Sequence, residues 1–125
     1  MSVCVFSYFP KISENILIFG ENLGDAENEV EENVTWDDID VLKVSHHGSS
    51  DATSQVFLET VKPEYSIISV GTNNSHNHPS NETLSNLNAV NSTIYRTDED
   101  GTIILISDGT SYYFEFDKTS LDGNK

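Results

Sequence analysis

All four histidines of this 125-residue chain fall in two short stretches, Ser45-His46-His47-Gly48-Ser49-Ser50 and Asn74-Ser75-His76-Asn77-His78-Pro79. An imidazole can hold a divalent metal through an unprotonated ring nitrogen, or trade protons with a substrate near neutral pH. Each stretch follows an apolar run of strand length, Val41-Leu42-Lys43-Val44 in the first case and residues 65–70 in the second. The small and polar residues after each run force a loop where the histidines emerge. Open α/β sheets usually build their sites at the carboxyl ends of strands. His46, His47, His76 and His78 are therefore expected to share one rim.

The elements that must carry this rim follow from the same patterning. Residues 2–9 are rich in β-branched and aromatic side chains and stop at Pro10, and residues 16–19 form a second apolar run beyond Ser13-Glu14-Asn15, so the two read as a hairpin. Residues 20–24 form a loop, and Asp25 stands where a helix N-cap is wanted, ahead of Ala26-Glu27-Asn28-Glu29. After the central strand, Ser50 or Asp51 can cap a helix carrying Ala52, Val56, Phe57 and Val61, closed by Pro63. Residues 65–70 are nearly all apolar, as in a strand covered on both faces. Ser80 caps a second helix with Leu84, Leu87 and Val90. Residues 93–96 make a short strand, Asp98-Glu99-Asp100-Gly101 a turn, and residues 102–107 and 111–116 a hairpin across Asp108-Gly109. The expected class is α/β, a βαβαβ alternation with antiparallel margins in one domain over residues 1–116. A polar tail, 117–125, frays behind it.

Composition narrows the chemistry. With 21 acidic against 6 basic residues the formal charge is −15, so the chain repels nucleic-acid backbones unless cations or a basic partner intervene. The acidic run over residues 27–40 reads as solvated surface. The single cysteine, Cys4, excludes an intrachain disulfide and a cysteine zinc knuckle, so a metal must be held by histidine and carboxylate. Cys4 itself reads as a small apolar strand residue. Hydrophobic residues make up 36%, enough for one modest core. No stretch approaches the roughly 20 apolar residues of a membrane span, and no cationic region precedes an apolar one at the start, so a soluble chain without an export signal is expected.

Four pieces, in order, carry a resemblance that covers about two-thirds of the chain. They are Gly24-Asp25-Ala26-Glu27; Val41-Leu42-Lys43-Val44-Ser45-His46-His47-Gly48-Ser49; Lys62-Pro63-Glu64-Tyr65-Ser66-Ile67-Ile68-Ser69-Val70-Gly71 running into Asn74-Ser75 and His78-Pro79; and Tyr95-Arg96-Thr97-Asp98-Glu99-Asp100-Gly101-Thr102-Ile103. This set resembles the C-terminal half of a metallo-β-lactamase-fold hydrolase of the kind found in the soluble domain of ComEC-type competence (DNA-uptake) proteins. The resemblance implies an αββα-type fold, one mixed sheet with covering helices here, and a chain that enters at the middle of the sandwich.

It also implies a binuclear site for Zn or Mn, in which two cations activate water near neutral pH and stabilise the leaving oxygen. By resemblance the bridging carboxylate maps to Asp25, with Glu21 of Gly20-Glu21 as the competing register. The histidine ligand maps to the His46-His47 pair, with His47 as metal ligand and His46 orienting it or contacting substrate. His78 matches a histidine that lies near the metals and contacts an anionic substrate. The match is imperfect there, because Asn77 stands in place of a glycine and Ser80 in place of a histidine. His76 falls where relatives carry an aromatic residue and reads as surface.

The family's His-x-His-x-Asp-His signature belongs to its N-terminal half, and nothing in this chain resembles it. Three readings stay open: a fragment of a longer protein, a subunit completed by a separate N-terminal half-domain, or a degenerate, non-catalytic interaction module. In the enzymatic readings the reaction implied is phosphodiester hydrolysis, with nucleic acid as a possible substrate. A first half would supply a second sheet, and without it an uncovered apolar face favours a partner or self-association.

Overall fold

The computed structural model describes residues 4–7, 16–18, 39–108 and 111–119. Asp25 and Glu21, the carboxylates implied for the site, and the tail beyond Thr119 lie outside the described residues. Four parallel strands, β2 (Ile16–Ile18), β3 (Val41–Lys43), β4 (Tyr65–Ile68) and β5 (Thr93–Arg96), form one sheet in sequential order. A second sheet places β6 (Thr102–Ser107) between β1 (Cys4–Ser7), parallel to it, and β7 (Tyr112–Asp117), antiparallel to it.

Two crossovers between parallel strands carry helices among the described residues, the usual connection for parallel pairing. Helix α1 (Gln55–Val61) links β3 to β4, and α2 (Asn81–Ala89) links β4 to β5. Each begins on a serine whose side chain accepts from the third helical amide, Ser54 from Phe57 N–H and Ser80 from Thr83 N–H. Leaving β5, Thr97–Asp100 closes one helical turn, α3, against Gly101. Gly101 has φ +77, and a Cβ there would strike the Asp117 and Lys118 backbone.

Alternation along the strands sorts the side chains into two cores. Leu42 and Ile68 pack with Val44 against Phe57, Leu58 and Val61 of α1 and Leu87 of α2. On the opposite face Val41 and Ile67 meet Ile103 and Leu105 of β6, flanked by Tyr65, Tyr95, Tyr112 and Phe114. Phe114 is tilted onto both Tyr65 and Tyr95 with ring centroids at 5.1 Å. The layers therefore run helices, parallel sheet, mixed sheet. Fully burying a Leu, Ile or Phe contributes about 1.5–3 kcal/mol, so these two contact layers dominate stability.

Several expectations are corrected. The α/β class and the βαβαβ run with an antiparallel margin stand, but there are two sheets rather than one mixed sheet. The first two strands are not a hairpin, because β1 aligns with β6 (Cys4 opposite Ile103) and β2 with β3 (Ile16 opposite Val41). A second sheet does not have to come from another half, since β1, β6 and β7 of this chain supply it. Helix α1 starts at Ser54 rather than Ser50 or Asp51, because Thr53, at φ +57, breaks any helix begun earlier. Val56, expected in the core, is 61% exposed.

Candidate functional site

Strand β3 ends at Lys43, and the chain then turns sharply through Ser45–Gly48. Both histidines there are left-handed, His46 at φ 46, ψ 47 and His47 at φ 57, ψ 22. Each such non-glycine residue costs about 1–2 kcal/mol, and two in succession persist only where surrounding bonds over-determine them. Those bonds are present. Ser49 N–H donates to His46 O at 3.0 Å, and the His47 ring is bonded at 2.6 Å to Ser69 O, just past β4.

A carbonyl oxygen only accepts, so Nδ1 of His47 carries the proton in this bond. In the uncharged tautomer that makes this bond, the lone pair is on Nε2. This is the arrangement in which a ligating histidine has its orientation set from behind by a backbone carbonyl.

The second histidine loop is held by Asn74. Its side-chain amide donates to Gly71 O at 3.1 Å and His78 O at 2.7 Å, while its Oδ1 accepts from His76 N–H at 3.2 Å and His78 N–H at 2.9 Å. The His78–Pro79 peptide is cis. Pro79 lies directly over Gly48, whose φ is +81 and where a Cβ would come within 2.6 Å of the Pro79 Cβ. Ser80 N–H donates to Gly48 O at 2.9 Å, and Thr83 Oγ1 donates to Ser49 O at 3.2 Å. The two loops are thus fastened to one another.

The outcome is a cleft of about 370 Å³ lined by His46, His47, Ser49, Asp51, His76 and His78. Ring centroids lie 6.1 Å apart for His46 and His47, 5.8 Å for His46 and His78, and 5.5 Å for His76 and His78. All four histidines share one rim, as their spacing implied. His76 is exposed, as expected of a surface residue, yet it stacks on His78 and lines the cleft. Burial, then the neighbouring His46, His76 and His47 in that order, hold the His78 imidazole below its usual value, with Asp51 opposing. His46 Nδ1 is buried and has no hydrogen-bond partner among the described residues. An unsatisfied buried polar atom in a residue that lines a cleft is one that a ligand or an ordered water could satisfy.

As to metal, imidazole donors are present at the cleft. Among the described residues no three His, Cys, Asp or Glu side chains are grouped so as to hold an ion. The residues missed in the sequence were Asn74, Asp51 and the Ser69 carbonyl. Asn74 gave a usable signal, since Asn side chains habitually bind backbone two to four residues on in polar loops. Among the described residues no helix is long and apolar enough to cross a membrane.

The sequence is similar to three known proteins. It is 42% identical over 84 residues to ComE operon protein 3 of Bacillus subtilis (strain 168), a match covering 64% of this chain and 11% of that protein. It is 38% identical over 63 residues to Competence protein ComA of Neisseria gonorrhoeae, covering 50% and 9% respectively. To Recombination protein 2 of Haemophilus influenzae it is 34% identical over 89 residues, covering 71% and 11%. The chain thus spans about a tenth of the length of these relatives. The similarity to ComEC-type competence proteins stands on these matches. No protein-family model matches the chain, and no solved structure does.

Proposed function

We propose that this chain forms part of the site of a metal-dependent phosphodiester hydrolase of the metallo-β-lactamase type, acting on DNA in a competence uptake system. The observation that carries the proposal is the bond from His47 Nδ1–H to Ser69 O at 2.6 Å, which fixes one of the imidazoles lining the four-histidine cleft. The name of one relative, Competence protein ComA, supports the competence setting. His47 is the metal ligand, joined by a carboxylate from the stretch outside the described residues, Asp25 or in the other register Glu21. The remaining donors come from an N-terminal half-domain.

When bound, Zn²⁺ or Mn²⁺ would lower the cost of deprotonating water and neutralise charge on the phosphoryl oxygens. In the hydrolysis water adds to phosphorus, the P–O ester bond breaks, and a proton lost by the water is matched by one gained by the leaving alkoxide. His78 and His46 border the cleft where that exchange takes place. Burial and the neighbouring imidazoles disfavour a fixed cation at His78, so its role is to orient the phosphate by hydrogen bonding. A chain at −15 also needs cations at its site before a polyanion can approach.

The test is turnover of a chromogenic phosphodiester by the chain combined with an N-terminal half bearing the His-x-His-x-Asp-His segment, with and without Mn²⁺ or Zn²⁺. His47→Ala and Asp25→Asn should abolish metal-dependent turnover, while His76→Ala should retain most of it. Loss on Glu21→Gln with Asp25→Asn unaffected would assign the carboxylate to the other register. Equal rates for wild type and His47→Ala would refute the reading. The incomplete ligand set among the described residues favours one alternative, a non-catalytic interaction module, which the same assay identifies by metal-independent inactivity of every combination.

A further inference from the structure

We propose that Thr97 is a positioning residue for His47, acting through the single peptide group between Ser69 and Val70. That peptide is gripped at both ends. Its carbonyl, belonging to Ser69, accepts the His47 Nδ1 proton at 2.6 Å, and its amide, belonging to Val70, donates to Thr97 Oγ1 at 2.8 Å. The Thr97 hydroxyl proton in turn goes to Val70 O at 2.9 Å. Thr97 is 3% exposed and Val70 2%, so water does not compete for these bonds.

The arrangement does more than fasten β5 to β4. Rotating a peptide about its flanking bonds moves its C=O and N–H together, so the threonine that fixes the Val70 amide also fixes the direction of the Ser69 carbonyl. That direction decides which His47 nitrogen is protonated and where the ring points. Hydrogen bonds in series also polarise one another, which makes a carbonyl whose amide is engaged a better acceptor. Thr97 is placed for the task by the chain's return into α3 directly after β5, at the same end of the sheet as both histidine loops. A serine could supply the hydroxyl, and a valine would keep the shape without it. The consequence for hydrolysis rests on the reading of His47 as metal ligand; the consequence for the His47 tautomer does not.

The experiment is a long-range ¹H–¹⁵N correlation of the imidazoles of the full chain at roughly pH 8, where unperturbed histidines are neutral. Wild type and Thr97→Ser should show His47 protonated at Nδ1. Thr97→Val should show a mixture with the Nε2–H tautomer, and Zn²⁺ should bind it about 10-fold more weakly, the lower range for loss of an outer hydrogen-bond partner. Should Thr97→Val fail to fold, Thr97→Cys takes its place, its weaker thiol acceptor giving a smaller shift in the same direction. The proposal is overturned if wild-type His47 is protonated at Nε2, or if the folded valine or cysteine variant keeps the wild-type tautomer. A tautomer that moves in Thr97→Val while wild-type His47 ignores Zn²⁺ would leave the relay intact and remove the metal reading instead.

Discussion

The amide of Ser80 donates to the carbonyl of Gly48 across 2.9 Å, joining a loop that follows β3 to one that follows β4. It is one of the contacts, with the Thr83 hydroxyl on Ser49 O, that tie the two histidine pairs together. With it, and with Pro79 seated over Gly48, they line one cleft.

Gly48→Ala should therefore damage the site and the fold together. The added Cβ meets a φ of +81 and lies 2.6 Å from the Pro79 Cβ. The left-handed backbone alone costs about 1–2 kcal/mol, and relief of the overlap requires the loops to part. Thermal denaturation should show the loss, and the imidazole shifts of His46 and His78 should both move. A variant of wild-type stability would mean that the loops are not in contact.

Asn74→Ala removes four hydrogen bonds that hold the His76–His78 loop. The loop is partly exposed, so each bond nets little, and a total cost of about 1–2 kcal/mol is expected. The His78 amide should exchange with solvent much faster. Asn74→Asp keeps both acceptor bonds and loses both donor bonds, so it should fall between alanine and wild type. Ranking the three by hydrogen exchange checks the assignment.

The pH dependence of His78 has a definite sign. Its folded value lies below 6.5, first through burial and then through His46, His76 and His47. Between the folded value and 6.5 the unfolded chain binds more protons, so this contribution to stability is present above 6.5 and lost as pH falls through the folded value. His46→Gln should raise the His78 value in a metal-free NMR titration, and Asp51→Asn should lower it further. Shifts of opposite sign would contradict the placement of these residues around the cleft.

What the sequence made legible follows from how local each signal is. The histidine loops were readable because an apolar run ending in Ser and Gly marks a strand end within ten residues, and the hairpin of β6 and β7 because its turn residues lie between its strands. The apparent hairpin of β1 and β2 failed for the same reason in reverse. Two neighbouring apolar runs satisfy the local rule, while their true partners, Ile103 and Val41, lie far along the chain. Helix α1 was started too early because Ser50, Asp51 and Ser54 are all competent caps, and only the backbone at Thr53 decides among them. The roles of Ser69 and Thr97 were invisible, since a hydrogen bond to backbone 22 or 27 residues away leaves no pattern near either residue.

The most direct test of the central claim is a Zn²⁺ titration of the isolated chain, followed by ¹⁵N imidazole resonances. The His47 Nε2 signal should respond first and most strongly, with weak affinity because the described residues supply only part of a ligand set. His47→Ala should abolish the remaining response. A His47 ring unmoved by Zn²⁺ while His76 or His78 responds would contradict the assignment.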